Sequence, residues 1–189
     1  MTALADLLAR RRSRRDFAAT PLGLDELTGL LWAAQGSTGD GHRTSPSAHA
    51  RHPLSVCAVT GHTGIQWYET ETGALRPGDP RDHRDAVARA SLADEAWLGT
   101  APALLVLGGD LAAARAAFAE QPPAGVRGER YLWLEAGHAS QNVYLWATAK
   151  GLGAVLVAGF DDERLRALPV VPDGHDPLAI LAVGHPANP

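Results

Sequence analysis

The run Arg11-Arg12-Ser13-Arg14-Arg15-Asp16-Phe17 puts four arginines, a hydroxyl and an aromatic ring into seven residues. A guanidinium is a fixed fork of donors that matches phosphate oxygens, and Ser13 adds a neutral donor beside it. The chemistry on offer is capture of a small anion. The competing reading is a solvated basic turn after a helix. Eight histidines form a second reactive group. His42, His49, His52 and His62 fall in loop-like sequence without the i, i+4 pairing of a helical metal site, so scattered surface histidines and no metal centre are expected. His138 falls within a helix, where a core or interface role is expected. Asp161 and Asp162 suit a helix cap better than an acid/base pair. Neither a nucleophile elbow, a P-loop nor a GxGxxG following a strand is present.

The elements that must hold these groups follow from apolar spacing. Leu4, Leu7 and Leu8 recur at helical intervals and place the arginines at the end of a first helix. Residues 24–35, with Asp25 and Glu26 in the first turn, form a second, ended by Gly36. Residues 36–53 hold Gly, Ser, Thr, Pro and His with almost no large apolar side chain and read as a long ordered loop, the kind that tends to be functional. Residues 54–60 read as a strand, with 65–68 and 74–75 completing hairpins. A helix is expected over 81–96, with Trp97 and Leu98 packing inward. A strand buried on both faces follows at 103–107, then an Asp110-capped helix to Phe118. Residues 120–128 read as irregular. A long helix spans 129–150, apolar around so much of its circumference that burial on most sides is expected. Strands at 154–158 and 178–183 flank a short helix starting at Asp161-Asp162.

Length and composition set bounds. A chain of 189 residues, 46% hydrophobic, suffices for one core and suggests a single domain. A net charge of -4 makes the arginine run a local feature on an acidic protein, favouring a small anionic ligand over nucleic acid. The single cysteine, Cys57, lies in an apolar run and reads as a small core residue; no internal disulfide can form. No apolar run approaches membrane-spanning length and no secretory leader is evident, so a cytoplasmic protein is expected.

Several segments resemble one family. Residues 11–17 look like the RRSxRxF opening of the FMN-dependent nitroreductase fold, and Pro46-Ser47-Ala48-His49-Ala50-Arg51-His52-Pro53 matches its PS(S/A)xxxxP loop. Residues 135–142, 151–153 and 159–162 are similar to the EAGHxxQN, GLG and GFDD segments of its SagB/ThcOx-type dehydrogenase branch, and Gly64-Ile65-Gln66-Trp67-Tyr68 fits that branch's hairpin. The resemblance covers most of the chain in order. It implies an α+β fold with a mainly antiparallel central sheet flanked by helices, residues 1–189 forming one FMN-binding domain completed by homodimerisation.

By the same resemblance, Arg11, Ser13 and Arg15, with Arg12 adjacent, hold the flavin phosphate and ribityl chain. Pro46, Ser47, Ala48 and Ala50 belong to the loop laid on the ring by the partner subunit. Ala158 and Gly159 form the backbone turn near the ring, and the long helix is the dimer helix. FMN would pass a hydride to or from a small-molecule or peptide-derived substrate, and a place in natural-product biosynthesis is expected. The alternatives are a flavin-poor scaffold in a biosynthetic complex and an NAD(P)H-dependent quinone or nitroaromatic reductase. Two departures stand out. Pro123 and Ala124 occupy the places of the branch's Lys-Tyr pair, leaving Tyr131 or a substrate group as the substitute for proton transfer, and Ala187-Asn188-Pro189 stands in place of a basic tail.

Overall fold

The computed structural model describes residues 3–188. Helix α1 (Ala3–Arg10) and helix α2 (Leu24–Gln35) lead into a small antiparallel hairpin, β1 (Ser37–Gly39) and β2 (His42–Arg43), and a 3-10 turn at Ala48–Ala50. The segment read as one long loop therefore carries its own hairpin. Then come β3 (Leu54–Thr60), β4 (Gly64–Glu69), β5 (Ala74–Pro77), α3 (Arg84–Ala90), α4 (Glu95–Leu98) and β6 (Ala103–Gly109). Helices α5 (Leu111–Ala117) and α6 (Val126–Ala149) precede β7 (Gly153–Val157), α7 (Asp162–Arg166) and β8 (Asp176–Gly184).

Six strands pair antiparallel in the order β5-β4-β3-β6-β8-β7. The central strands are apolar at nearly every position because both faces are covered. Side chains alternate. Val56, Ala58, Leu105, Leu107, Leu181 and Val183 meet one set of helices, packing with Leu30 and Leu31 of α2 and Leu132 and Val143 of α6. Cys57, Val59, Leu104, Val106, Ile180 and Ala182 face the opposite way, against Val87 of α3, Leu98 of α4 and Leu165 of α7. Each fully buried leucine or isoleucine here contributes about 1.5–3 kcal/mol. Burial pushes the Cys57 thiol up to about 12, so it is an inert core group as its sequence context implies.

Three expectations are corrected. The helix expected over 81–96 is two helices, because Ser91 turns extended and pairs with Phe160, while Leu92 N–H donates to the Gly159 carbonyl at 2.9 Å. The long helix begins at Val126, three residues before Glu129. Gly125 supplies a left-handed N-cap at φ 74°, and Gly128 lies inside the helix because a Cβ there would overlap the Ala114 carbonyl of α5. Thus two residues that look like breakers are what allow α6 to start early and α5 to pack closely. Finally, within one chain α6 is buried along a single stripe: Gly128, Leu132, Glu135, Ala136, Ala139, Ser140, Val143 and Ala147. Trp133 and Leu134 on the outer face are 45% and 54% exposed, and His138 and Gln141 are exposed with them.

Candidate functional site

After α1 the chain runs extended along β7. Ser13 pairs in parallel with Ala154, and Arg14 N–H donates to the Ala154 carbonyl at 3.0 Å. An extended chain alternates its side chains. Arg11 stacks on the Tyr144 ring, 5.2 Å from its centre, and Arg15 on Trp97 at 5.8 Å. Between them the Ser13 hydroxyl meets the Tyr144 hydroxyl at 3.2 Å, and that phenol also accepts from Leu156 N–H at 2.8 Å. Arg12 turns back and caps α1, donating to the Ala9 and Arg11 carbonyls at 2.8 Å each. Arg10, Arg12 and Arg14 line a separate cleft of about 550 Å³ with Thr148, Leu152 and Pro186. Among the described residues, none of Arg11, Arg12, Arg14 or Arg15 pairs with a carboxylate. Asp16 is occupied by the chain's end: its carbonyl accepts from Ala187 N–H and its carboxylate from the Asn188 amide, both at 3.1 Å. Pro189 lies outside the described residues. Ala158 and Gly159 follow β7, roughly 13 Å beyond Ala154 at strand rise. Both are exposed, and a Cβ at Gly159 would meet nothing within 4 Å.

The second group lies in the segment before β3. His49, Ala50 and His52 adopt left-handed backbone, with φ of 54°, 52° and 50°, each costing on the order of 1–2 kcal/mol for an L-residue. Contacts to two helices, and one within the segment, hold it in place. Asn142 of α6 donates to the Thr44 carbonyl at 2.9 Å, Ser45 donates to the Ala34 carbonyl of α2 at 2.6 Å, and Ser47 Oγ accepts from His52 N–H at 2.9 Å. Pro46 and Ala50 are exposed, while Ser47 and Ala48 line a cavity of about 300 Å³ with Tyr131, Leu132, Glu135 and His175. Tyr131 donates its hydroxyl to Gln121 at 3.2 Å and packs edge-on against Phe118. Glu135 is only 2% exposed. Burial pushes its carboxyl up, and Ser47, the Arg43 charge and Gln35 pull it partly back. Burial lowers His52, with Arg43 and His42 adding to the effect and Glu71 opposing it.

The structure brings Arg11, Ser13 and Arg15 together, and places Ser47 and Ala48 with Tyr131. It does not join the two groups within one chain. Ser13 meets α6 at Tyr144 and Ser47 meets it near Glu135, nine residues or roughly 14 Å apart along the helix. Sequence reasoning missed Tyr144, Trp97 and Glu135. The signal for Glu135 was available: an acid lies on the apolar stripe, three residues after Leu132 and four before Ala139. No cluster of three or more metal-ligating side chains occurs among the described residues.

Residues 8–185 match the nitroreductase family, and the chain belongs to it. A nitroreductase-family protein of Methanocaldococcus jannaschii is 34% identical over 187 residues, covering 96% of this chain and 90% of that protein. A nitroreductase crystal structure from Ralstonia eutropha superposes with a TM-score of 0.82 at 27% identity, covering 100% of this chain and 85% of that one. A chain of the Escherichia coli microcin synthetase complex, solved with truncated pro-MccB17 bound, shares the fold with a TM-score of 0.75 at 22% identity, over 93% of this chain and 69% of that one. The six-stranded antiparallel sheet flanked by helices is the nitroreductase-like α+β fold, and the class of protein is a nitroreductase-family oxidoreductase.

Proposed function

We propose that two copies of this chain, each a single domain, bind FMN at their shared interface and transfer hydride to or from a small-molecule or peptide-derived substrate. The branch is the SagB/ThcOx type, on the strength of residues 135–142, 151–153 and 159–162. The observation that carries the reading is the row of Arg11, Ser13 and Arg15, whose guanidinium groups meet no carboxylate among the described residues. Rings rather than acids hold the two guanidinium groups, so their N–H edges stay available to a phosphate. The open surface at Ala158 and Gly159 suits a flat ring approaching backbone. The exposed Trp133 and Leu134 supply the face on which a second copy packs.

FMN supplies the redox chemistry when bound, and the protein supplies position and electrostatics. Arg11, Ser13 and Arg15 hold the phosphate end, with Arg12 fixing the end of α1 on which they depend. Pro46, Ser47, Ala48 and Ala50 come from the second copy, cover the ring face and exclude water. Pro123 and Ala124 can move no proton, so proton transfer falls to Tyr131 or to the substrate. NAD(P)H serves as reductant where the substrate is reduced. No helix among the described residues is long and apolar enough to cross a membrane. A cytoplasmic setting is part of the proposal, and the branch motifs support natural-product assembly. The test is the visible spectrum of the purified protein: bound flavin bands, and FMN released on denaturation, are expected. A colourless protein that takes up no added FMN contradicts the proposal and favours a scaffold.

A further inference from the structure

Glu135 stands on the buried stripe of α6, where an apolar side chain would pack without desolvating a charge. We infer that Glu135 is a positioning residue: from inside the fold it fixes the conformation of residues 46–52, and through them the surface this loop offers at the proposed dimer interface. Only the destination of that surface rests on the FMN reading.

The groups around the carboxyl come from every element packed on it. Gln35 reaches it from the end of α2, Arg43 from β2, and Ser47 and His52 from the loop. Arg51, Asp110, Tyr131 and His175 line the same cavity. Ser47 Oγ already accepts from His52 N–H at 2.9 Å. A hydroxyl has one proton, and accepting from His52 leaves Ser47 free to give it to the carboxyl that lines the same cavity. On the other side, Arg43 donates to Gln35 Oε1 at 3.3 Å, and to Glu71 at the same distance. That orients Gln35 with its amino end left over on the side of the carboxyl, where neither Gln35 Nε2 nor Glu135 Oε1 has a hydrogen-bond partner elsewhere among the described residues. The carboxyl is thus where two polar arms converge, one from the loop and one from α2. The loop needs such an anchor because His49, Ala50 and His52 lie in a backbone region that L-residues leave when nothing restrains them.

The test uses flavin-free protein at pH 8, reading hydrogen exchange of the His52 amide and tryptic nicking after the exposed Arg51. Glu135→Leu should speed both roughly ten-fold, as loss of a buried hydrogen-bonding anchor allows, while the urea midpoint of global unfolding stays level or rises. Glu135→Gln, which keeps one acceptor oxygen and the shape, should fall between, and it carries the test should the leucine variant not fold. Ser47→Ala should also loosen the loop, and the Ser47→Ala/Glu135→Gln pair should nick no faster than the looser single variant. Unchanged nicking and exchange in the Glu135 variants, or rate increases that multiply in the pair, would overturn the inference. None of these readouts involves FMN, so failure of the cofactor proposal would leave the result standing, and the reverse.

Discussion

The arginine ledge on β7 and the loop before β3 are built on opposite principles. The ledge is an extended chain held by sheet-like backbone pairing, with guanidinium groups stacked on rings and exposed edges. Nothing in it is strained. The loop carries three left-handed residues and rests on buried polar contacts to α2 and α6. A relaxed cationic surface suits a ligand held by charge, whereas a strained, anchored loop suits a surface whose shape must be set in advance. In the proposed dimer their separation along α6 would make one subunit provide two half-sites rather than one whole one, and the exposed apolar face of α6 is where the halves would be joined.

The comparison can be broken most severely at that face. Leu134→Arg, at a 54% exposed position, should leave each subunit folded but dissociate the dimer, and both half-sites should then lose FMN together. Sedimentation and flavin content read the two effects. A variant that stays dimeric, or a monomer that keeps its flavin, would separate the face from the site. Gly128→Ala comes next. The added Cβ would collide with the Ala114 carbonyl, and a destabilisation of about 1–3 kcal/mol is expected from denaturant unfolding. Arg11→Ala acts on the ledge alone and should weaken FMN binding by on the order of 1.5–3 kcal/mol; unchanged affinity would remove Arg11 from the site.

The smallest expected effect is a pH dependence confined to the loop side. Burial raises the Glu135 carboxyl above its ordinary 4.5 and lowers His52 below 6.5. Glu135 therefore contributes stability that is complete below pH 4.5 and lost as pH rises through its raised value. His52 contributes stability that is complete above pH 6.5 and lost as pH falls through its lowered one. Glu135→Gln should remove the first loss only. Relative to the parent, the variant should gain stability between pH 4.5 and 8 in urea titrations, and a relative loss over that range would contradict the assignment.

Much of this architecture was legible in the sequence because apolar period and capping agree. Leu24–Gln35, Leu54–Thr60 and the Asp110-capped helix fall where expected, and Asp110 does accept from Ala113 N–H, at 2.7 Å. Reading failed where tertiary contact overrode local signals. Gly128 looked like a breaker but is demanded by helix contact, and Ser91 leaves its helix to pair with Phe160. The apolar circumference of α6 was visible, but sequence could not say that part of it faces outward within one chain. In the candidate site, charge made the arginines conspicuous, while Tyr144 and Trp97 are ordinary aromatics until the fold sets them under Arg11 and Arg15.

The central claim is that the two half-sites act across the interface, and a tagged mixed dimer tests it most directly. One subunit carries Arg11→Ala and Arg15→Ala, the other Ser47→Ala. The only competent ledge then belongs to the Ser47→Ala subunit, and the loop covering it should be the unaltered one from its partner. The account predicts that the FMN retained has the parent protein's absorption spectrum. A retained flavin with the spectrum of the Ser47→Ala homodimer would show that ledge and loop serve the same subunit, and would contradict it.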